Sequence, residues 1–203
     1  MKKAKKILVM VAALALTAAI AVGGTLAYLT STTETVENTF TVGKVKITLD
    51  EAVADEYGVV EDYDDRTDGN EYKLIPGHNY KKDPTVHVVA GSEECYLFVE
   101  VVNGISGIEA DTTVADQMAA KGWTQVEGNI YVYNETVDAR EAEEPIDVVV
   151  FEEFTLADDA DVASYADDEG NVTANITIKA YAVQADGFED STAAEIWDAA
   201  FSA

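Results

Sequence analysis

Residues 95–103 read CYLFVEVVN, and this stretch constrains the fold more than any other. Cys95, Leu97, Val99 and Val101 point one way; Tyr96, Phe98, Glu100 and Val102 point the other. Both sides are mostly apolar, which marks a strand covered on both faces and therefore central in its sheet. The spacing around it predicts more strands of the same kind. Thr39–Leu49 alternates through Phe40, Val42, Val45, Ile47 and Leu49, with its parity reset at Gly43-Lys44. Thr85–Ala90, Ile146–Leu156 and Asn175–Val183 are strand-like, and Tyr72–Ile75 reads as a short strand ending at Pro76-Gly77. Trp123–Val126 and Ile130–Tyr133 flank Glu127-Gly128-Asn129, a hairpin signal.

Two helices interrupt this pattern. Glu109–Lys121 is read as helical, with Thr113 and Asp116 as a capping box and Gly122 as its stop. Thr192 and Glu195 open a C-terminal helix whose Ile196/Ala200 and Trp197/Phe201 pairs stack at four-residue spacing. Asp50–Glu71 and Ala157–Asn171 are read as exposed acidic loops. Many short strands with turns between them indicate an all-β, antiparallel β-sandwich with short helical insertions and a C-terminal helix. Periodicity alone does not separate a jelly roll from an immunoglobulin-like sandwich. The expected core is Phe40, Val45, Ile47, Leu97, Val99, Val101, Val148, Val150, Ile176 and Ile178.

The amino terminus sets the compartment. Lys2, Lys3, Lys5 and Lys6 precede a 16-residue apolar run, Ile7–Val22, which ends at Gly23-Gly24 and small residues up to Ala27. This is the order of a secretory signal peptide, and the run is shorter than the roughly 20 residues of a spanning helix. Residues 1–27 are therefore read as a signal peptide cut between Ala27 and Tyr28, with a cut after Gly23 as the competing register. No membrane anchor is retained on this reading. Removing four lysines and no acid leaves nine basic against 39 acidic residues, a net charge of −30. Such a surface repels nucleic acid and anionic lipid, which are discounted as partners. Cys95 stands alone, so no intramolecular disulfide can form, and burial as a small hydrophobe is expected.

These segments also carry a family likeness. The junction Gly23-Gly24-Thr25-Leu26-Ala27-Tyr28 is followed by a Thr-rich stretch and by Phe40-Thr41-Val42-Gly43-Lys44-Val45-Lys46-Ile47. Later come Leu74-Ile75-Pro76-Gly77, Thr85-Val86-His87-Val88-Val89, Gly91-Ser92 and Tyr96-Leu97-Phe98-Val99-Glu100-Val101. In this order the chain resembles the TasA/camelysin family of secreted biofilm-matrix fibre proteins, well over its first half and loosely after that. The resemblance implies a jelly-roll domain over 39–203, cleavage by a SipW-type signal peptidase, and an N-terminal donor strand over 28–38. The donor residues would be Tyr28, Leu29, Thr30, Ser31, Thr32, Thr33, Glu34, Thr35 and Val36. Each would pair with a sheet edge of another copy, and a head-to-tail contact of this sort builds filaments.

Chemistry is sparsely signalled. A zinc protease needs clustered ligands such as His-Glu-x-x-His; this chain has only His78 and His87, nine residues apart. Neither a Gly-x-Ser-x-Gly nor a Gly-rich phosphate loop occurs. Asp64–Asn70 is rich in oxygen ligands, but an EF-hand starting at Asp64 would place Arg66 at its third position. The sequence thus predicts a non-enzymatic subunit with no cofactor, calcium being the one cation it suggests, secreted to the matrix or cell surface and partnered by copies of itself. The rival is a monomeric adhesin or carbohydrate-binding sandwich using Tyr57, Tyr63, Trp123, Tyr131 and Tyr133. A secreted metalloprotease, needing His78 or His87 beside carboxylates in a cleft, is the third reading.

Overall fold

Two four-stranded antiparallel sheets share one apolar interior. The computed structural model describes residues 44–165 and 174–201. The signal segment, the Ala27/Tyr28 cleavage site, the donor residues Tyr28–Val36 and the expected core residue Phe40 lie outside the described residues. The strands are β1 (Ile47–Ala52), β2 (Arg66–Thr67), β3 (Asn79–Lys81), β4 (Thr85–Val88), β5 (Cys95–Asn103), β6 (Trp123–Glu127), β7 (Ile130–Tyr133), β8 (Ile146–Val149), β9 (Glu153–Thr155) and β10 (Ile176–Gln184). The helices are α1 (Val114–Ala120) and α2 (Ala193–Phe201). Sheet one has the order β2-β1-β4-β8 and sheet two the order β10-β5-β7-β6, while β3 and β9 form a separate pair. The fold is all-β.

The strand read as central is central. β5 pairs with β10 from Ile176↔Asn103 to Gln184↔Cys95 and with β7 through Phe98↔Val132. Its Leu97, Val99 and Val101 meet Val86 and Val88 of β4 and Val148 of β8 in the main core. Its other face carries Phe98, fully buried in a second cluster with Val132, Ile196 and Trp197. Helix α2 builds that second cluster. Thr192 and Glu195 cap each other, Thr192 N donating to the Glu195 carboxylate at 2.8 Å. The helix then lays Trp197 against Phe98 and Tyr181 at ring separations of 5.5 and 5.1 Å.

Of the remaining expected core, Val150 is buried, while Val45, Ile47, Ile176 and Ile178 are half-buried at its margin. Cys95 is fully buried, and burial, then Glu94 and Asp138, push its thiol up to about 11. The hairpin β6–β7 forms as read, with a bulge between Gln125 and Glu127.

Three elements depart from the sequence reading. The helix expected over Glu109–Lys121 is only α1, two turns long. Its Thr113–Asp116 capping box is present, and Gly122 stops it at φ +89°. The strand expected over Ile146–Leu156 is two strands, β8 and β9, bent at 150–152. Gln117 of α1 holds the bend: its side-chain oxygen accepts from the backbone N–H of Glu152 and Glu153, and its Nε2 donates to Glu153 O at 2.7 Å. Tyr72–Ile75 forms no strand. The Tyr80 hydroxyl takes the place of a ladder there, accepting from Ile75 N at 2.7 Å and donating to Lys73 O at 2.5 Å. The next strand is β3 instead. Gly58 sits against β3 at φ +75°, where a Cβ would come within 2.6 Å of the Tyr80 backbone.

Candidate functional site

Strands β1 and β10 belong to different sheets and come within 8 Å of each other without pairing. A trough runs along this seam. One part is a cavity of about 540 Å³ between Tyr72, Leu74, Ile105, Phe154 and Ile176. It continues into a second of about 280 Å³ beside Leu49, Asp68, Pro84 and Ile178. Asn70, Lys82, Asn175 and Ile176 border both parts. Among the described residues β10 pairs only with β5, so the edge it turns toward the trough carries no ladder partner. An edge of this kind is a template for another strand.

The trough's polar lining comes from a stretch that the sequence reading placed in solvent. Asp50–Glu71 is not one exposed loop: β1 extends into it to Ala52, and Glu51 is 3 % exposed. The Glu51 carboxylate receives the Lys82 ammonium on one oxygen. On the other it accepts from Asn70, from both the backbone N and the side-chain Nδ2 at 2.9 Å. Lys82 is itself 8 % exposed. Two buried charges are tolerated because each has a partner and the remaining lone pairs are satisfied. Burial, then the Glu51 charge, pushes the neighbouring Tyr72 phenol up, against a hydrogen bond from Asn70. The sequence held one signal for this cluster: Lys81-Lys82 is a basic doublet in a chain with 13 basic residues against 39 acids.

On the face of β4 opposite Val86 and Val88 lies a second polar group. His87 Nδ1 meets Asp147 Oδ1 at 2.6 Å and its Nε2 meets Asp50 Oδ1 at 3.0 Å. Arg66 of β2 donates to Asp50 at 2.7 Å and to Asp83 at 2.8 Å. These ions tie β2, β1, β4 and β8 together across the sheet. Burial disfavours the His87 charge, but hydrogen bonds to Asp50 and Asp147 outweigh it and raise the His87 pKa. Burial likewise works against the Asp50 charge, and His87 and Arg66 overcome it, lowering that pKa.

The sign of the pH dependence follows. His87 contributes fully below the ordinary histidine value of about 6.5, and its contribution is lost as pH rises through the raised folded value. Asp50 contributes above its unfolded value near 3.9 and loses that contribution as pH falls through its depressed folded value. Urea unfolding across pH 5 to 9 therefore shows stability declining on the alkaline side, and His87→Gln flattens that decline. A His87→Gln profile parallel to that of the parent chain would refute the assignment.

His78 Nε2 contacts the Tyr57 carbonyl at 2.8 Å and is engaged separately from His87. Among the described residues no group of three His, Cys, Asp or Glu is arranged to hold a metal. In the segment Asp64–Asn70, Arg66 and Asn70 turn inward to Asp50 and Glu51, and Asn70 Oδ1 accepts from Ala54 N at 2.9 Å. Of the five aromatics assigned to a binding face, Trp123 is buried, with Nε1 donating to Val149 O at 3.0 Å. Tyr131 and Tyr133 are half-buried, and only Tyr57 and Tyr63 are exposed, at 37 % and 55 %. No helix among the described residues is long and apolar enough to cross a membrane.

Comparison with protein-family models, curated proteins and solved structures gives no match.

Proposed function

We infer that this chain is a secreted, non-enzymatic structural subunit of an extracellular fibre. Residues Tyr28–Val36 of one copy, freed at Ala27/Tyr28 by a SipW-type signal peptidase, add as a strand to the next copy. The observation that carries the reading is the β10 edge along the trough, which among the described residues has no ladder partner. Backbone hydrogen bonds to that edge would supply affinity, and alternate side chains of the incoming segment would enter the cavity beside Ile176 and Ile178. A donor and an acceptor on different parts of one chain make a contact that does not close, and so a filament.

The jelly-roll topology belongs to the same proposal. Two sheets of four strands, with the chain crossing between them from β4 to β5 and from β7 to β8, support it. The net charge of −30 left after cleavage, nine basic against 39 acidic residues, supports a setting rich in cations, where self-repulsion between subunits is screened. Other copies of the chain are the partner, and the chemistry requires no cofactor.

Electron microscopy of two purified chains tests this reading. A chain starting at Tyr28 forms filaments; one starting at Thr39 stays monomeric, and filaments return when a peptide-bearing copy is supplied. Equal polymerisation of both chains overturns it. A Tyr28 chain that remains monomeric shifts the reading to a surface binding module centred on Tyr57 and Tyr63.

A further inference from the structure

The ion pair beneath the trough is more than a pair. Its third member, Asn70, puts a carboxamide on the same buried carboxylate that holds a buried amine. Glu51 spans the other two, with one oxygen on Lys82 Nζ and the other 2.9 Å from Asn70 Nδ2. Asn70 Oδ1 accepts from the Ala54 N–H at 2.9 Å, and its Nδ2 also donates to Ala52 O at 2.9 Å. We propose that Lys82 and Asn70 become joined by an intramolecular isopeptide bond, formed by the protein itself with Glu51 as proton carrier.

Each part needed for amide aminolysis is present. The nucleophile is the Lys82 amine, held away from water. The electrophile is the Asn70 carboxamide carbon. The Ala54 N–H lies where the carbonyl oxygen gains negative charge on attack, the position that lowers the barrier to acyl transfer. Glu51 accepts from the nucleophile and faces the leaving nitrogen, which is the geometry of a general base that then acts as general acid.

The step balances. Lys82 starts as an ammonium and hands one proton to Glu51; the neutral amine attacks Asn70 Cγ. The Nζ–Cγ bond forms and the Cγ–Nδ2 bond breaks. A second Nζ proton passes through the carboxyl group to Nδ2, which leaves as ammonia and departs as ammonium with the proton stored on Glu51. The carboxylate is regenerated, nothing is oxidised or reduced, and no co-reactant is needed. Burial of Lys82 and Glu51 serves the reaction, because water would solvate the ammonium. The product ties the segment after β2 to the link between β3 and β4, at the border of the trough. This inference does not depend on the fibre reading, since it concerns bonds within one copy.

Intact-mass spectrometry of the denatured full chain is the test. The expected mass is lower than the sequence mass by one ammonia. Trypsin then yields residues 67–73, carrying Asn70, joined to the peptide that begins at Lys82, because an acylated Lys82 blocks cleavage before Asp83. Glu51→Gln restores the full mass and cleavage after Lys82, and Asn70→Ala does the same by removing the electrophile. The parent chain needs no variant to be informative. Full mass, or an ammonia loss with Lys82 still cleavable, overturns the proposal. A Glu51→Gln chain that still carries the cross-link overturns the role given to Glu51.

Discussion

Trp197→Ala lowers unfolding free energy by about 3–5 kcal/mol, the cost of truncating a large buried aromatic. Trp197 is 9 % exposed and is the centre of a ring cluster, with Phe201 at 4.8 Å, Tyr181 at 5.1 Å and Phe98 at 5.5 Å. Removing it opens a void over Phe98, in the cluster that Trp197 forms with Phe98, Val132 and Ile196. A helix of nine residues has little stability of its own and stays folded through the face it buries. The helix therefore detaches with its anchor, and the uncovered sheet face binds a hydrophobic dye. Urea denaturation and dye fluorescence read the two effects. A loss under about 1 kcal/mol with no dye binding would show that α2 is not a structural part of the sheet.

Trp123→Ala costs a similar amount, about 3–5 kcal/mol, for a different combination of reasons. The indole fills the core beside Tyr133, with ring centroids 5.3 Å apart, and its Nε1 satisfies the Val149 carbonyl at 3.0 Å. Alanine leaves both a cavity and a part-buried acceptor without its donor. Trp123→Phe keeps most of the volume and loses the hydrogen bond, so it isolates the second term, about 1–3 kcal/mol. Denaturant midpoints of the three chains measure the split. Equal midpoints for the parent chain and Trp123→Phe would mean that the Val149 contact adds nothing.

The two tryptophans also mark how far the sequence could be read. The four-residue spacing of Trp197 and Phe201 after a Thr-x-x-Glu cap was enough to place α2 and its stacked pair. Alternation was enough to place β5 and β10, and the Glu127-Gly128-Asn129 turn was enough to place the β6–β7 hairpin. Trp123 was offered as a surface aromatic, and only its packing against Tyr133 and the carbonyl of β8 shows otherwise. What failed was contact between segments far apart in the chain. The bend between β8 and β9 is set by Gln117, 35 residues away. The missing strand at Tyr72–Ile75 is replaced by the Tyr80 hydroxyl. Glu51 looked like one more solvated acid, yet its partners Asn70 and Lys82 lie 19 and 31 residues on. Local pattern records which way a side chain points, not which distant group waits for it.

Helix α2 and the histidine clasp divide the labour of holding the strands. One broad flank is sealed by aromatic rings, whose cohesion rests on no charge that salt can screen or a proton can remove. The opposite flank is laced by Arg66, Asp50, His87 and Asp147, whose attraction weakens as ions or hydroxide are added. Brine and alkali thus loosen the molecule from the ionic side first, leaving the aromatic side as the last part to open.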